Sequence, residues 1–161
     1  MNGTAKSDVI MVGVDGSEES LVALRWAAEH ALRTKATLEV ISVYEPVPAS
    51  VWVAGMYPIP YESEESWKVD AERRLAEAVT EALGESGPEV AQLVIPGSPA
   101  RELAKASGRA DLLVLGSRHA HGFGRLLGST GASCIRHAGC PVVIVPCDMK
   151  TDRSPAEVAT I

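Results

Sequence analysis

Val9-Ile10-Met11-Val12-Gly13-Val14-Asp15-Gly16-Ser17 is the stretch on which the fold turns. It opens with a short, nearly continuous apolar run rich in β-branched side chains. Such runs read as strands covered on both faces, the signature of a parallel sheet. Asp15-Gly16-Ser17 ends the run. Ser17, followed by Glu18, Glu19 and Ser20, combines a capping hydroxyl with acids in a first helical turn. Leu21, Leu24, Ala28, Ala31 and Leu32 then recur at helical spacing to about Thr34. Thr37 to Val43 is a second strand, which completes one β-α-β unit.

The same alternation continues outward from this unit. Ser63 to Leu83 reads as a helix, with Trp67, Ala71, Leu75, Ala78, Val79 and Leu83 on one stripe. Glu89 to Ile95 is a third strand. Pro96-Gly97-Ser98-Pro99 turns into a short helix that Ser98 is suited to cap, with Pro99 in the first helical position. Asp111 to Gly116 is the fourth strand, Gly128-Ser129 to about His137 a helix, and Val142 to Val145 the fifth strand. Alternating strands and helices with right-handed crossovers imply an α/β, doubly wound sheet in a single domain. The domain is expected over residues 8–147, with an N-terminal tail at 1–7 and a C-terminal tail at 148–161.

One stretch breaks the pattern. Tyr44 to Glu62 holds Pro46, Pro48, Pro58 and Pro60 among Trp52, Met56, Tyr57 and Tyr61. Prolines at that density argue against a regular element, and loops of this length are often functional. Trp52 is therefore the aromatic expected to serve function, over a ligand or at a partner surface. Trp26 and Trp67 sit on helical apolar stripes and are expected in the core.

Composition narrows the classes of function. The chain has 161 residues, 46% hydrophobic and 22% charged, which suits one domain with a real core. The net charge is −6, and no Lys/Arg-rich run occurs, so non-specific nucleic-acid binding is not expected. No apolar run approaches the ~20 residues needed to cross a bilayer, and Met1 to Asp8 lacks a secretory apolar segment. Cys134, Cys140 and Cys147 do not form a CxxC zinc pattern. They read either as reduced thiols of a cytoplasmic protein or, for Cys134 with Cys140, as a redox pair.

The chemistry is concentrated between Gly116 and Thr130: Gly-Ser-Arg-His-Ala-His-Gly-Phe-Gly-Arg-Leu-Leu-Gly-Ser-Thr. This segment leaves the carboxyl end of a buried strand and enters a helix, the edge at which open α/β sheets bind ligands. Glycines let a backbone approach a phosphate without a Cβ clash. Amides at Ser129 and Thr130 would donate to phosphate oxygens, and Arg118 and Arg125 would add charge-assisted contacts. Neither GxxxxGK[ST] nor GxGxxG occurs, and a flexible connection is the alternative. His119 and His121, two apart with no nearby Cys or paired carboxylate, do not make a metal site.

Four segments taken in order resemble the universal stress protein family: Val12 to Ser17, Leu112 to Arg118, Leu126 to Ser129, and Arg136 to Val145. The similarity runs from about Asp8 to Pro146. It implies a five-stranded parallel sheet ordered 3-2-1-4-5 with helices on both faces, and homodimers paired through the last strand, here Val142 to Val145. It also implies an adenine-nucleotide ligand, ATP or AMP/ADP, with Mg²⁺ accompanying the phosphates, in a regulatory protein of the stress response. Carried over residue by residue, Asp15 would meet the ribose, and Gly13, Val14 and Val43 would flank the adenine. Leu115 and Gly116 would close the site, and Gly128, Ser129 and Thr130 would hold phosphates. Asp15 reads alternatively as a turn residue, and Ser129 as an ordinary N-cap.

The family's ATP-binding pattern is G-x2-G-x9-G-[ST]. Here His119 stands where its second glycine belongs, and the interval to Gly128 is one residue short. Two other functions compete with a regulatory nucleotide binder: a dimeric interaction module whose loop binds nothing, and a slow ATPase or adenylylating enzyme. The second would want an SGGxDS-type loop after the first strand, which Asp15-Gly16-Ser17 does not supply.

Overall fold

Along β1 (Val9–Gly13) the side chains alternate between two apolar layers. Ile10 and Val12 enter one core and Met11 the other, none more than 3% exposed. A strand buried on both faces needs neighbours at both edges, and β1 has them. It pairs in parallel with β2 (Thr37–Tyr44) on one side and with β4 (Leu112–His119) on the other. Outside these lie β3 (Ala91–Pro96), parallel to β2, and β6 (Val142–Pro146), parallel to β4. The five parallel strands thus lie in the order β3-β2-β1-β4-β6, which is 3-2-1-4-5 when the parallel strands alone are counted along the chain. The computed structural model describes residues 8–46, 63–85, 88–119, 125–126 and 128–147. The two expected tails, Trp52 with the rest of 47–62, and His121 with Gly122 and Gly124 lie outside the described residues.

The helices divide between the two faces. α1 (Glu18–Thr34) and α2 (Glu64–Leu83) cover the layer of Val12, Val40 and Val114. Arg25 Nε donates to the Ala82 carbonyl at 3.2 Å and ties the two helices together. α3 (Pro99–Ala106) and α4 (Ser129–His137) cover the layer of Met11, Ile41 and Leu113, to which they contribute Leu103 and Cys134. The start of α1 follows the expected chemistry, with Ser17 Oγ accepting from the Ser20 amide at 3.3 Å; Ser63, read as helical, instead caps α2, its Oγ accepting from the Ser66 amide at 3.2 Å. α3 starts with Pro99 at its head, but the Ser98 side chain makes no capping bond.

Expectations change at two strands and at the two tryptophans expected in the core. The third strand begins at Ala91, two residues later than Glu89. β4 does not give way to a loop at Gly116: its backbone continues to His119 and pairs antiparallel with a two-residue strand, β5 (Arg125–Leu126). Trp26 is half-buried on the flank of α1, stacked on His30 with ring centroids 5.0 Å apart. Trp67 is half-buried too, lining a groove between α2 and the end of β2.

The amino ends of the central strands are locked together. The Val9 amide donates to Asp111 Oδ2 at 2.9 Å, and the Asp111 amide returns a bond to the Val9 carbonyl at 2.8 Å. The Thr37 amide donates to the Asp8 carbonyl at 2.8 Å. Ser107, in a 3₁₀ turn after α3, is fully buried. Its hydroxyl donates to the Ala104 carbonyl at 2.7 Å and accepts from the Gly139 amide at 2.8 Å, so it fastens α3 to the turn before β6.

The carboxyl end of β4 is fixed by a backbone contact. A Cβ on Gly116 would fall 2.6 Å from the carbonyl carbon of Glu19 and 3.0 Å from the amide nitrogen of Ser20. The first turn of α1 therefore rests directly on β4, and only glycine leaves room. Gly116→Ala should destabilise the fold by ~1–3 kcal/mol through overpacking. Gly108→Ala, where a Cβ meets nothing within 4 Å, should be close to neutral. Thermal or urea unfolding of the two variants checks this; equal stabilities would remove the contact's importance.

Candidate functional site

β1 and β4 send their following helices to opposite faces of the sheet, so a crevice opens above their carboxyl ends. A cavity of about 780 Å³, counting its mouth out to open solvent, occupies that crevice. One part of its wall is apolar: Ile41 and Val43 from β2, Leu115 from β4, and Pro99 and Leu103 from α3. The other part is polar: Asp15, Ser17, Glu19 and Ser20 from the β1–α1 turn, and Gly128 to Gly131 from the start of α4. Gly13 and Val14 lie where β1 runs out, and the Val14 amide is held by the Ile41 carbonyl at 2.8 Å.

Asp15 organises the turn. Its Oδ1 accepts from the Ser17 amide at 3.0 Å and from the Ser17 hydroxyl at 2.5 Å. This is an Asx turn, in which the side chain does the work of a backbone carbonyl. Ser20 completes it, donating to the Ser17 carbonyl at 2.8 Å while its Oγ receives the Asp15 amide at 3.4 Å. α1 thus enters the site with its amino end capped by Ser17 and followed by two acids, Glu18 and Glu19.

α4 differs. Its N-cap is Gly128, which has no side chain to accept from the first-turn amides, and its first turn carries no acid. Ser129 is therefore the first residue of the helix and not its cap. The Gly128 carbonyl accepts from the Ala132 amide at 2.9 Å, while first-turn amides such as those of Ser129 and Thr130 have no partner within the helix. Uncapped amides and the helix dipole favour an anion at this end.

Nine of the ten residues singled out from the sequence line this one cavity: Gly13, Val14, Asp15, Val43, Leu115, Gly116, Gly128, Ser129 and Thr130. Arg118, the tenth, stands on β4 opposite Leu126, and its side chain lies outside the described residues, as do those of His119 and Arg125. Ile41, Pro99 and Leu103 also line the cavity and escaped the sequence reading. Spacing carried their signal: Ile41 is two residues before Val43 on the same strand face, and Pro99 and Leu103 are four apart on one helix face. Gly116 lines the cavity as well, but the space its missing Cβ leaves is taken by α1.

The cysteines are free thiols, with Cys134 buried in the core. Burial pushes the thiols of Cys134 and Cys140 above their ordinary pKa. Among the described residues no group of three His, Cys, Asp or Glu side chains is placed to hold a metal ion. No helix among them is long and apolar enough to cross a membrane.

Comparison with known proteins agrees with this architecture. A universal stress protein of Mycolicibacterium smegmatis is 38% identical, over 94% of this chain and 56% of its own length. One of Mycobacterium tuberculosis is 34% identical, over 92% and 51% respectively. The chain spans about half the length of the curated relatives it matches. Among solved structures, the universal stress protein UspA from Lactobacillus plantarum superposes with a TM-score of 0.63 at 24% identity, over 88% of this chain and 99% of that one. A universal stress protein in complex with cAMP gives a TM-score of 0.56 at 26% identity, over 87% of this chain and 97% of that one. The sequence model of the Universal stress protein family matches residues 6–146, from before β1 to the last residue of β6, and the chain belongs to that family.

Proposed function

We propose that the cavity at the carboxyl ends of β1 and β4 binds an adenine nucleotide, and that the chain acts as a nucleotide-binding regulatory protein of the stress-response type. The observation that carries this reading is the division of the cavity wall. An apolar slot from β2, β4 and α3 suits a flat base. A capped turn presenting Asp15 suits a ribose, and an uncapped helix start at Ser129 suits a phosphate. The donor set fits AMP, ADP or ATP, with any Mg²⁺ carried on the phosphate oxygens. The cAMP complex of a structure 26% identical to this chain supports the same class of ligand. Binding is favoured over catalysis because the hydroxyl–carboxylate pair in the described lining, Ser17 with Asp15, is engaged in capping α1 and closing its turn. Free thiols suit a cytoplasmic setting.

Asp15 gives the direct test. Asp15→Ala should weaken AMP and ATP alike by about 10- to 150-fold, the worth of a charged hydrogen bond of ~1.5–3 kcal/mol. Asp15→Asn, which retains an oxygen for Ser17, should hold the turn and lose less. Calorimetry showing unchanged affinity in folded variants would leave Asp15 with the turn as its whole role.

The loop gives a second test. His119 in place of a glycine, and an interval one residue short, should leave phosphate anchoring at α4 intact but blunt the preference for ATP over AMP. Restoring the pattern by His119→Gly with one inserted residue should improve ATP binding more than AMP binding. A wild-type protein already preferring ATP a hundredfold would show that the loop is not impaired.

We also propose a homodimer through Val142 to Val145. Among the described residues β6 pairs only with β4. The Leu113 amide donates to the Pro141 carbonyl at 3.0 Å, so by alternation the backbone groups of Val142 and Ile144 face outward. An open apolar edge of this kind invites antiparallel pairing with a second copy. Light scattering should give twice the chain mass, and Ile144→Pro, which removes an outward donor, should give the monomer with its far-UV circular dichroism retained. A wild-type monomer at micromolar concentration overturns the dimer.

A further inference from the structure

The apolar end of the cavity has a floor. An ideal Cβ on Gly13 would lie 2.8 Å from Leu115 Cδ2 and 3.2 Å from Leu103 Cδ1. The two leucines therefore close over the space that glycine leaves at the end of β1. Both line the cavity, and both are nearly buried, at 5% exposure for Leu103 and 6% for Leu115. Leu115 is fixed by the sheet, in register with Ile144 of β6. Leu103 comes from α3, a helix of eight residues that also presents Pro99 to the cavity.

We infer that Leu103 is the specificity-determining residue of the base subsite, a depth stop that admits an unsubstituted purine and rejects one carrying a bulky group on its far edge. The inference rests on the nucleotide reading above. A ribose at Asp15 and a phosphate at Ser129 place N9 of the purine toward the polar part of the cavity. The opposite edge of the ring, with N1 and the 6-amino group, then points toward the apolar floor. A close-packed floor cannot yield to a large substituent without displacing buried side chains. Leu103 is the floor side chain carried by a short helix, so its shortening opens the floor while the side chains of central β4 stay as they are.

The experiment titrates AMP and N6-benzyl-AMP against the wild type and three variants: Leu103→Ala, Leu103→Val and Leu113→Ala. Leu113 is fully buried in the same apolar layer but does not line the cavity, so its variant reports general loosening of the core. The wild type should prefer AMP by at least tenfold. Leu103→Ala should shift the ratio of the two affinities toward N6-benzyl-AMP by a further tenfold or more, and Leu113→Ala should leave it unchanged. Leu103→Val should move it part of the way, and carries the test if the alanine variant does not fold. A ratio unmoved by the Leu103 variants, or moved equally by Leu113→Ala, overturns the depth stop while AMP binding to the wild type upholds the nucleotide reading. Failure of the wild type to bind AMP overturns both.

Discussion

The site depends on a place where two backbones touch. β4 and the first turn of α1 meet at Gly116 and Glu19 with no side chain between them. That contact sets the height of α1 above the sheet, and with it the position of the Ser17–Asp15 turn. The turn in turn fixes how far the polar wall stands from Leu115 and the start of α4. Everything that lines the cavity on the β1 side is thus referenced to one glycine. The energy involved is steric, so it does not relax gradually: interiors are close-packed, and a methyl group placed there must move a helix.

Much of this was legible in the sequence. β1, β2 and β6 are apolar runs bounded by strong turn signals, and the helices carry capping residues and periodic apolar stripes. Even the strand order followed from the family resemblance. Ser129 stood out locally, as a glycine-led helix start behind a buried strand; Asp15, Val43 and Leu115 came from the family resemblance, and all four line the cavity.

The rest was hidden for physical reasons. Gly116 was read as opening a glycine-rich, phosphate-approaching segment and as closing the site with Leu115. Its neighbour in space is α1, which lies almost a hundred residues earlier, and no local pattern announces such a contact. The extension of β4 through Ser117 to His119 was missed because a run of Gly, Ser, Arg and His lacks the β-branched composition of a strand; its pairing with Arg125 and Leu126 is tertiary context overriding propensity. Leu103 and Pro99 looked like ordinary helix residues, since an apolar side chain that lines a cavity and one that fills a core are the same letter. The alternative reading of Ser129 as a cap followed serine's preference for that position, yet Gly128 takes it and leaves the amides uncovered.

The lock between Val9 and Asp111 joins the beginning of the sheet to a residue that the ribosome delivers a hundred positions later. β1 is central in space but first in time. As the chain emerges, β1, β2 and β3 with α1 and α2 can assemble a half-sheet in which one edge of β1 has no neighbour. That edge, Val-Ile-Met-Val, is apolar along its whole length and stays open until Leu112 to Leu115 have been made. Non-local pairing of this kind slows folding and leaves an adhesive intermediate exposed. The half-made protein is therefore the species most in need of a chaperone, and a synthesis pause between α2 and β4 would prolong its exposure.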